Sequence, residues 1–212
     1  MSQDNNVVNG VVNSVLLYPK GGKPSIIAND WQVWHGDGAE LSNLDQTQKV
    51  LVPFSWWLAH GQAHGQADAN HADSIVAKRI AAQTIGVWFA ADDDILKHAE
   101  VIEAGKSIWP LVGADFPIFR DGRSFSTAAL LRERFAWSGE IRAIGDVLID
   151  QLILGARSGF DSFALRADQN TAVALKQFDL FTVTTQNSWR DRRSQIRSQL
   201  NSQLSNQPTE AL

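Results

Sequence analysis

The sequence contains no cysteine among its 212 residues, and this absence excludes several kinds of chemistry. A chain without thiols forms no disulfide, offers no thiolate nucleophile and cannot ligate an iron–sulfur cluster through cysteine. Direct redox activity would therefore require a bound flavin or nicotinamide, and no GxGxxG fingerprint is present. Walker and GxSxG motifs are missing as well, so the common nucleotide-binding and hydrolase signatures identify no cofactor here.

Long hydrophobic runs and an excess of positive charge are also missing. No stretch approaches the ~18 apolar residues that indicate a membrane span, and the first residues lack the basic-then-apolar order of a signal peptide. A net charge of −4 and a pI near 5.7 give no basic field for nucleic acid. We therefore expect a cytoplasmic protein with neither a membrane nor a nucleic-acid partner.

Apolar and aromatic residues are plentiful, with 44% hydrophobic content, eight tryptophans and ten phenylalanines. This amount suffices for one domain with an aromatic core. The polar residues 1–14 predict a disordered leader, and residues 15–188 a single α/β domain. Within that domain the small and polar residues 60–73 predict a loop insertion. The polar residues 189–212 predict a flexible tail, for which a marginal amphipathic helix is the alternative.

Strand and helix patterns alternate from residue 85 onward. Segments 85–90 and 140–144 are typical of buried strands, and the helical segments between strands are followed by Gly105, Gly139 and Gly159, as expected of glycine caps. Such alternation predicts parallel strands joined by helical crossovers. About five strand-helix units are too few for a closed barrel of ~250 residues. We predict an α/β fold with a parallel sheet that is either partial TIM-barrel-like or open.

An N-terminal hairpin is predicted to precede this sheet. Residues 25–36 contain two short apolar stretches separated by Asn29 and Asp30, which are residues that favour turns. The two stretches should therefore pair with each other.

Candidate site residues cluster in the segments that follow the predicted strands, where ligands bind in parallel α/β sheets. Arg120 and Arg123 precede a helix, where a cation has the wrong sign for capping and the right sign for an anionic ligand. Arg142 lies within a strand, where a charged side chain must be paired or face a polar site. The three arginines predict an anion-binding pocket. An ion-pair network of Arg142 with Glu140 and nearby aspartates is the alternative.

Asp121 and Asp146 are the candidate catalytic residues, because each lies beside these arginines and could transfer a proton. Asp146 also stands just before a helix, where a carboxylate commonly caps free backbone N–H groups. His60 and His64 are four residues apart and His71 follows, but the intervening residues form a poor helix. We predict no metal site.

The segments FPIFRDGRSFSTAALLRER, GEIRAIGDVLIDQ and ARSGFDSFALRAD resemble an uncharacterised bacterial family. The resemblance covers about residues 50–186, and it includes Asp121-Gly122-Arg123, Arg142 and Gly145-Asp146. Ser124 and Phe125 depart from it, since the family usually has glycine and tyrosine there. Members are commonly named as oxidoreductases involved in sulfite reduction and are often encoded beside sulfite reductase.

The resemblance implies an accessory protein of assimilatory sulfite reduction, the conversion of sulfite to sulfide in cysteine biosynthesis. Such a protein would assist or bind sulfite reductase, or bind an anionic small molecule. Two alternatives remain open. One is a stand-alone oxidoreductase or other enzyme with an anion-binding site in a partial barrel, and the other is a non-catalytic interaction module that forms a homodimer through an open sheet edge.

Overall fold

The chain forms a mixed α/β domain in a computed structural model that describes residues 13–36, 41, 44–45, 47–61, 75–181 and 186–190. Within these ranges, no helix is long and apolar enough to cross a membrane. The strands are β1 (Ser14–Leu17), β2 (Ser25–Ala28), β3 (Trp31–Val33), β4 (Lys49–Pro53), β5 (Ile85–Phe89), β6 (Leu111–Phe116), β7 (Glu140–Gly145) and β8 (Ser162–Phe163). The α-helices are α1 (Phe54–His60), α2 (Ile75–Ala81), α3 (Ala99–Gly105), α4 (Arg123–Glu133), α5 (Leu152–Ser158) and α6 (Thr171–Leu175).

The eight described strands form one sheet in the order β2-β1-β8-β7-β6-β5-β4-β3. Strands β3 to β8 are parallel to one another, whereas β1 is antiparallel to both β8 and β2. The sheet is curled into a half-barrel, which confirms the partial-barrel form of the prediction rather than the flat open sheet. The N-terminal hairpin is also present, as the pair β1 and β2.

The predicted pairing of that hairpin is wrong. Strand β2 pairs with β1, and β3 pairs with β4, so β2 and β3 lie at opposite ends of the strand order. Only Asn29 and Asp30 separate the two strands in sequence, and this short link keeps the two ends of the sheet close together. The reason is that Val15 and Leu16, which adjoin the predicted leader, supply a buried strand that competes for β2.

Alternation along the strands gives the sheet an outer and an inner face. On β6, Val112 and Ala114 face outward into the main core beneath the helices. Leu111 faces inward and packs with Trp31 and Leu51 in a small inner cluster that Val33 and Trp88 complete. The middle of the inner face is therefore apolar, so a charged side chain on this face is costly unless it has a partner.

Some predicted helix ends also need correction. Gly159 follows α5 with φ of 128°, as a glycine cap requires. Helix α4, in contrast, ends at Glu133, well before Gly139. The Arg132 side chain donates hydrogen bonds from Nη1 to the carbonyl oxygens of Trp137 (2.6 Å) and Gly139 (2.9 Å), which stabilises an irregular segment there. Helix α2 was not predicted; of the predicted 60–73 insertion, residues 62–73 lie outside the described part of the chain.

The start of the predicted tail is packed against the domain. Arg190 is buried and donates hydrogen bonds to the carbonyl oxygens of Ala156 (3.0 Å), Phe160 (2.8 Å) and Tyr18. Its guanidinium also lies 4.1 Å from the centroid of the Tyr18 ring. Trp189 and Arg190 thus belong to the domain and tie it to the β1–β2 hairpin, while residues 191–212 of the predicted tail lie outside the described residues.

Candidate functional site

The carboxyl ends of the parallel strands meet at one edge of the curled sheet, which we call the carboxyl edge. His35 follows β3, the Asp115 side chain lies near the end of β6, and Gly145 ends β7. In parallel α/β sheets this is the edge at which ligands bind, because loops of different strands converge there. The inward-facing side chains at this edge are therefore the first candidates for a site.

Asp115 brings a carboxylate to the inner face at this edge. Gly113, two residues earlier on β6, lies against Trp88, Ile144 and Leu51 of the inner face, and Asp115 has the same orientation in the pleat. Its carboxylate abuts Gly145, where an added Cβ would collide with Asp115 Oδ1 and lie 2.5 Å from the Phe116 carbonyl oxygen. Gly145 has φ of +87°. Glycine at this position therefore leaves the space that the carboxylate occupies.

The Asp115 carboxyl is half-buried, and its charged neighbours shift its pKa in opposite directions. Burial raises its pKa above the ordinary value; a charged His35 ring opposes that shift, and the Asp121 carboxylate adds to it. Among the residues that the structure describes, none donates a hydrogen bond to this carboxylate. A partly desolvated carboxylate without a donor is expensive to keep ionised, so it can exchange or accept a proton nearer neutral pH than an ordinary aspartate.

Two aromatic side chains lie on the same side of the sheet. The exposed His35 ring meets the Trp88 ring edge-on, with centroids 5.4 Å apart. Trp88 is held in place because its Nε1 donates a hydrogen bond of 3.0 Å to the carbonyl oxygen of Trp34. We call His35, Trp88, Asp115 and Gly145 the mouth of the half-barrel. It combines an apolar aromatic wall with a carboxylate, as small-molecule sites commonly do.

The predicted residues Arg120, Asp121 and Arg123 lie on the exposed loop after β6 and at the start of α4. Asp121 and Arg123 come together as an ion pair, with Arg123 Nη2 2.7 Å from Asp121 Oδ2. Hydrogen bonds from the Arg123 side chain and backbone lower the pKa of Asp121. Arg120 is exposed, and no described carboxylate lies within ion-pair distance of it. This loop forms a rim outside the mouth.

The predicted residue Asp146 holds the rim in position. Its Oδ2 accepts a hydrogen bond of 2.8 Å from the backbone N–H of Phe119, and its Oδ1 lies 2.7 Å from Arg166 Nη1. Gln151 adds a hydrogen bond of 2.5 Å from Nε2 to the Phe119 carbonyl oxygen. Asp146 therefore connects the loops after β6, β7 and β8 rather than capping a helix, and these contacts occupy both of its carboxylate oxygens.

The structure does not bring Arg142 to Arg120 and Arg123. Arg142 is buried on the inner face, where its Nη2 lies 2.7 Å from Glu140 Oε1 and its Nε donates 3.0 Å to Ser162 Oγ. Glu140 and Ser162 begin their strands, so the Arg142 head group lies toward the amino ends, away from the rim. The expected three-arginine pocket is thus divided, and the alternative ion pair between Arg142 and Glu140 is present. The roles of the remaining rim residues in binding or catalysis stay predictions.

A cleft of about 630 Å³ lies at the opposite, amino edge of the sheet. Its charged side chains already have partners: Arg132 Nη2 contacts Asp161 Oδ2, and Glu140 pairs with Arg142. The Arg132 guanidinium and Lys20 Nζ lie 4.2 Å and 4.6 Å from the centroid of the Trp189 ring. The amino edge of such folds usually serves stability. This cleft therefore offers a ligand fewer unpaired groups than the mouth does.

No group of three or more histidine, aspartate or glutamate side chains within the described residues is arranged to hold a metal ion. His60 contacts the Trp56 carbonyl oxygen at 3.0 Å through Nδ1 and stacks on the Trp56 ring. His64 and His71 lie outside the described residues.

Asp115 and His35 were missed by the reasoning from sequence. The alternation of Leu111, Gly113 and Asp115 in the segment LVGADF places an acid at an inward position of the strand. His35 was assigned to a hairpin, so it was not considered as a residue that follows a parallel strand. The alternation was a usable signal for Asp115, whereas His35 required knowledge of the strand order.

Comparisons with known proteins give one relationship. Neither the curated proteins nor the solved structures include a significant match to this chain. A bacterial protein family matches residues 86–196, just over half of the chain, which includes all but the first residue of β5, the whole of β6 to β8 and the rim. The chain belongs to this family, which is described as "Bacterial protein of unknown function (DUF934)".

Proposed function

We propose that this protein is an accessory factor of assimilatory sulfite reduction in the bacterial cytoplasm, where sulfide is made for cysteine biosynthesis. The proposal combines the resemblance of the rim and β7 segments to proteins named for sulfite reduction with membership of the bacterial family. The factor acts on sulfite reductase or on an anionic sulfur intermediate, and it is distinct from the catalytic reductase.

The lack of cysteine supports the accessory role. Sulfite reductase moves electrons through sirohaem and an iron–sulfur cluster, and such clusters are commonly held by cysteine thiolates. This chain has no thiolate to contribute. A supporting role beside the reductase is therefore more consistent with the sequence than the electron-transfer step itself.

The observation that carries the proposal is the pair of exposed guanidinium groups at the rim. Arg120 has no ion-pair partner among the described residues, and Arg123 is exposed although it is paired with Asp121. Asp146 and Gln151 fix the loop that carries them. A positioned, solvent-facing guanidinium suits recognition of an anion or of an acidic protein surface.

A stand-alone enzyme with a site in the half-barrel is the second candidate, and Asp115 is the observation that favours it. A half-buried carboxyl with a raised pKa at the carboxyl edge is the kind of group that transfers protons in such folds. Within this alternative, Asp115 takes the role expected of Asp121 or Asp146, because both of those are bound to arginines.

A gene deletion tests the accessory role. We expect the deletion strain to grow slowly with sulfate or sulfite as its sulfur source and normally with sulfide or cysteine. Wild-type protein and Arg134→Ala, which changes an exposed arginine beyond the far end of α4, should restore growth. The double variant Arg120→Ala, Arg123→Ala should fail to do so. Normal growth of the deletion strain on sulfate would refute the proposal, whereas full rescue by the double variant would refute only the role of the rim.

A further inference from the structure

We propose that the mouth binds a small organic molecule that carries an ammonium or N–H group. This group donates a hydrogen bond to the Asp115 carboxylate. The inference does not depend on the role in sulfite reduction, because it uses side chains of the inner face rather than the rim arginines. The proposed ligand group is a hydrogen-bond donor or a cation, whereas sulfite is an anion.

The Asp115 carboxylate lies at the open end of the inner face. Asp115 ends the inward row of β6 that begins with Leu111 and continues through Gly113. Below it the inner face is an apolar cluster, and above it the mouth opens to solvent at the exposed residues His35 and Gly145. A ligand entering at the carboxyl edge would meet this carboxylate before it reached the cluster.

The Asp115 carboxylate differs from three other aspartates of the carboxyl edge in lacking a donor. Asp121 has Arg123, Asp146 has Arg166 and the Phe119 N–H, and Asp168 has Arg166. Asp92 also has no donor among the described residues, but it is exposed to solvent. The Asp115 carboxylate has none among the described residues, although its backbone carbonyl oxygen accepts a hydrogen bond from Ser124 Oγ. The backbone at Asp115 is therefore fixed while its side chain is left with acceptor capacity for a ligand.

The lack of a donor for the Asp115 carboxylate also affects the stability of the folded protein. A half-buried carboxylate without a donor destabilises the ionised folded state, and a neutral amide of the same shape would remove that penalty. Gly145, with φ of +87°, leaves room for the carboxylate beside it. Residues that lower stability in this way, at the edge where ligands bind, are typical of functional sites.

The charges around Asp115 indicate the class of ligand. Asp121 lies close enough to raise the pKa of Asp115, whereas a charged His35 ring lowers it, so the mouth favours a cation when His35 is neutral. An inorganic oxyanion placed against the Asp115 carboxylate would be repelled by it, whereas an ammonium or N–H group would be attracted and would donate the missing hydrogen bond. The Trp88 ring, with the neutral His35 ring beside it, offers an aromatic wall that suits an organic cation or a flat N–H heterocycle.

Thermal unfolding of Asp115→Asn at about pH 3.5 and pH 8 tests the effect of the unpaired carboxylate on stability. The folded-state pKa of Asp115 is raised above the ordinary 3.8, so its contribution to stability is present below the ordinary value and is lost as the pH rises through the folded-state pKa. We expect the variant to melt at least about 2 °C above wild type at pH 8, with a smaller difference at about pH 3.5. The control Asp150→Asn changes an exposed aspartate outside the mouth and should match wild type. A variant that is less stable than wild type at pH 8 would show a structural role and overturn the inference.

An NMR titration with methylammonium chloride tests the ligand class directly, with sodium chloride and sodium sulfite as matched probes. We expect methylammonium to shift the amide signals of Gly145 and His35 in wild type and in Asp150→Asn, and to shift them at least about fivefold less in Asp115→Asn. Sodium chloride should shift neither signal. The inference is overturned if methylammonium causes no localised shifts, if Asp115→Asn responds like wild type, or if sulfite produces the shifts that depend on Asp115.

Discussion

Arg142 on β7 donates a hydrogen bond of 2.8 Å from Nη1 to the side-chain oxygen of Asn29, although 113 residues separate the two in sequence. Asn29 lies in the two-residue link between β2 and β3, the terminal strands of the sheet. The same Asn29 oxygen accepts the Trp31 N–H at 3.2 Å. Arg142 thereby connects the central strand β7 to the link at which the two end strands of the sheet approach each other. We infer that this bond stabilises the curled shape of the sheet.

Replacement of Arg142 by methionine should therefore destabilise the protein strongly. Arg142 is buried and bonded to Glu140, Ser162 and Asn29, so its loss removes the hydrogen bonds that it donates to all three. Asn29 keeps the Trp31 N–H and Glu140 keeps the Ser162 hydroxyl as donors. We expect the free energy of unfolding to fall by about 2–4 kcal/mol, somewhat less than for a fully buried pair because Glu140 is partly exposed. Urea unfolding measures this, with Arg134→Met as the exposed control. A loss below about 1 kcal/mol would show that the network is dispensable.

A comparison of Gly145→Ala with Gly21→Ala should distinguish the cost of backbone strain from that of steric collision. Gly145 and Gly21 both have positive φ, at +87° and +75°, but only Gly145 has neighbours that a methyl group would strike. Gly21→Ala should cost about 1 kcal/mol through φ alone, while Gly145→Ala should cost clearly more because it also displaces Asp115. Equal losses in chemical denaturation would mean that Asp115 is not confined by Gly145.

Arg190→Met should loosen the hairpin. The Arg190 side chain donates to the carbonyl oxygens of Tyr18, Ala156 and Phe160, and methionine can fill its volume but cannot replace these bonds. We expect a loss of about 2–4 kcal/mol, typical of a disrupted buried network. Faster cleavage near residues 18–24 in limited proteolysis would locate the effect. Unchanged stability relative to Lys23→Met, a change at an exposed lysine, would contradict the anchoring role.

Asp168 should titrate well below an ordinary aspartate. The Arg166 side chain binds it at 2.7 Å and 2.8 Å and lowers its pKa to about 2. Because the folded-state pKa is depressed, the stability that this pair contributes is present above the unfolded pKa and is lost as the pH falls toward 2. Carboxyl NMR should show the low titration midpoint in wild type and its return toward 3.8 in Arg166→Gln. A normal midpoint in wild type would show that the pair does not form in solution.

The alternation of elements was predictable because each is governed by local sequence. Strand β7 begins at Glu140 as predicted, since a short segment with the strand-forming residues Ile141 and Ile144 follows Gly139. Gly159 ends α5 because only glycine readily adopts its φ of 128°. The pairing of β2 was not predictable in the same way. It depends on whether Val15 or Trp31 offers the better neighbouring strand, which is decided by packing between residues distant in sequence.

The site shows the same division between local and distant causes. The pairing of Asp121 with Arg123 spans two residues, and their spacing already indicates it. The prediction that Arg142 lies beside the rim fails for a non-local reason. The direction of its side chain depends on Glu140, Ser162 and Asn29, and the sequence does not show that these residues lie together. The mouth combines residues of β5 and β6 with residues that follow β3 or end β7, so it becomes visible only with the order of the sheet.

Sulfite-dependent sulfide production in cell extracts tests the central claim most directly. Extract of the deletion strain, supplied with sulfite and reductant, should form sulfide slowly, and purified wild-type protein or Arg134→Ala should restore the rate. The double variant Arg120→Ala, Arg123→Ala should restore it several-fold less, because the exposed guanidinium groups of the rim are lost. Equal rates of sulfide formation in deletion and wild-type extracts, unchanged by added protein, would contradict a role in sulfite reduction.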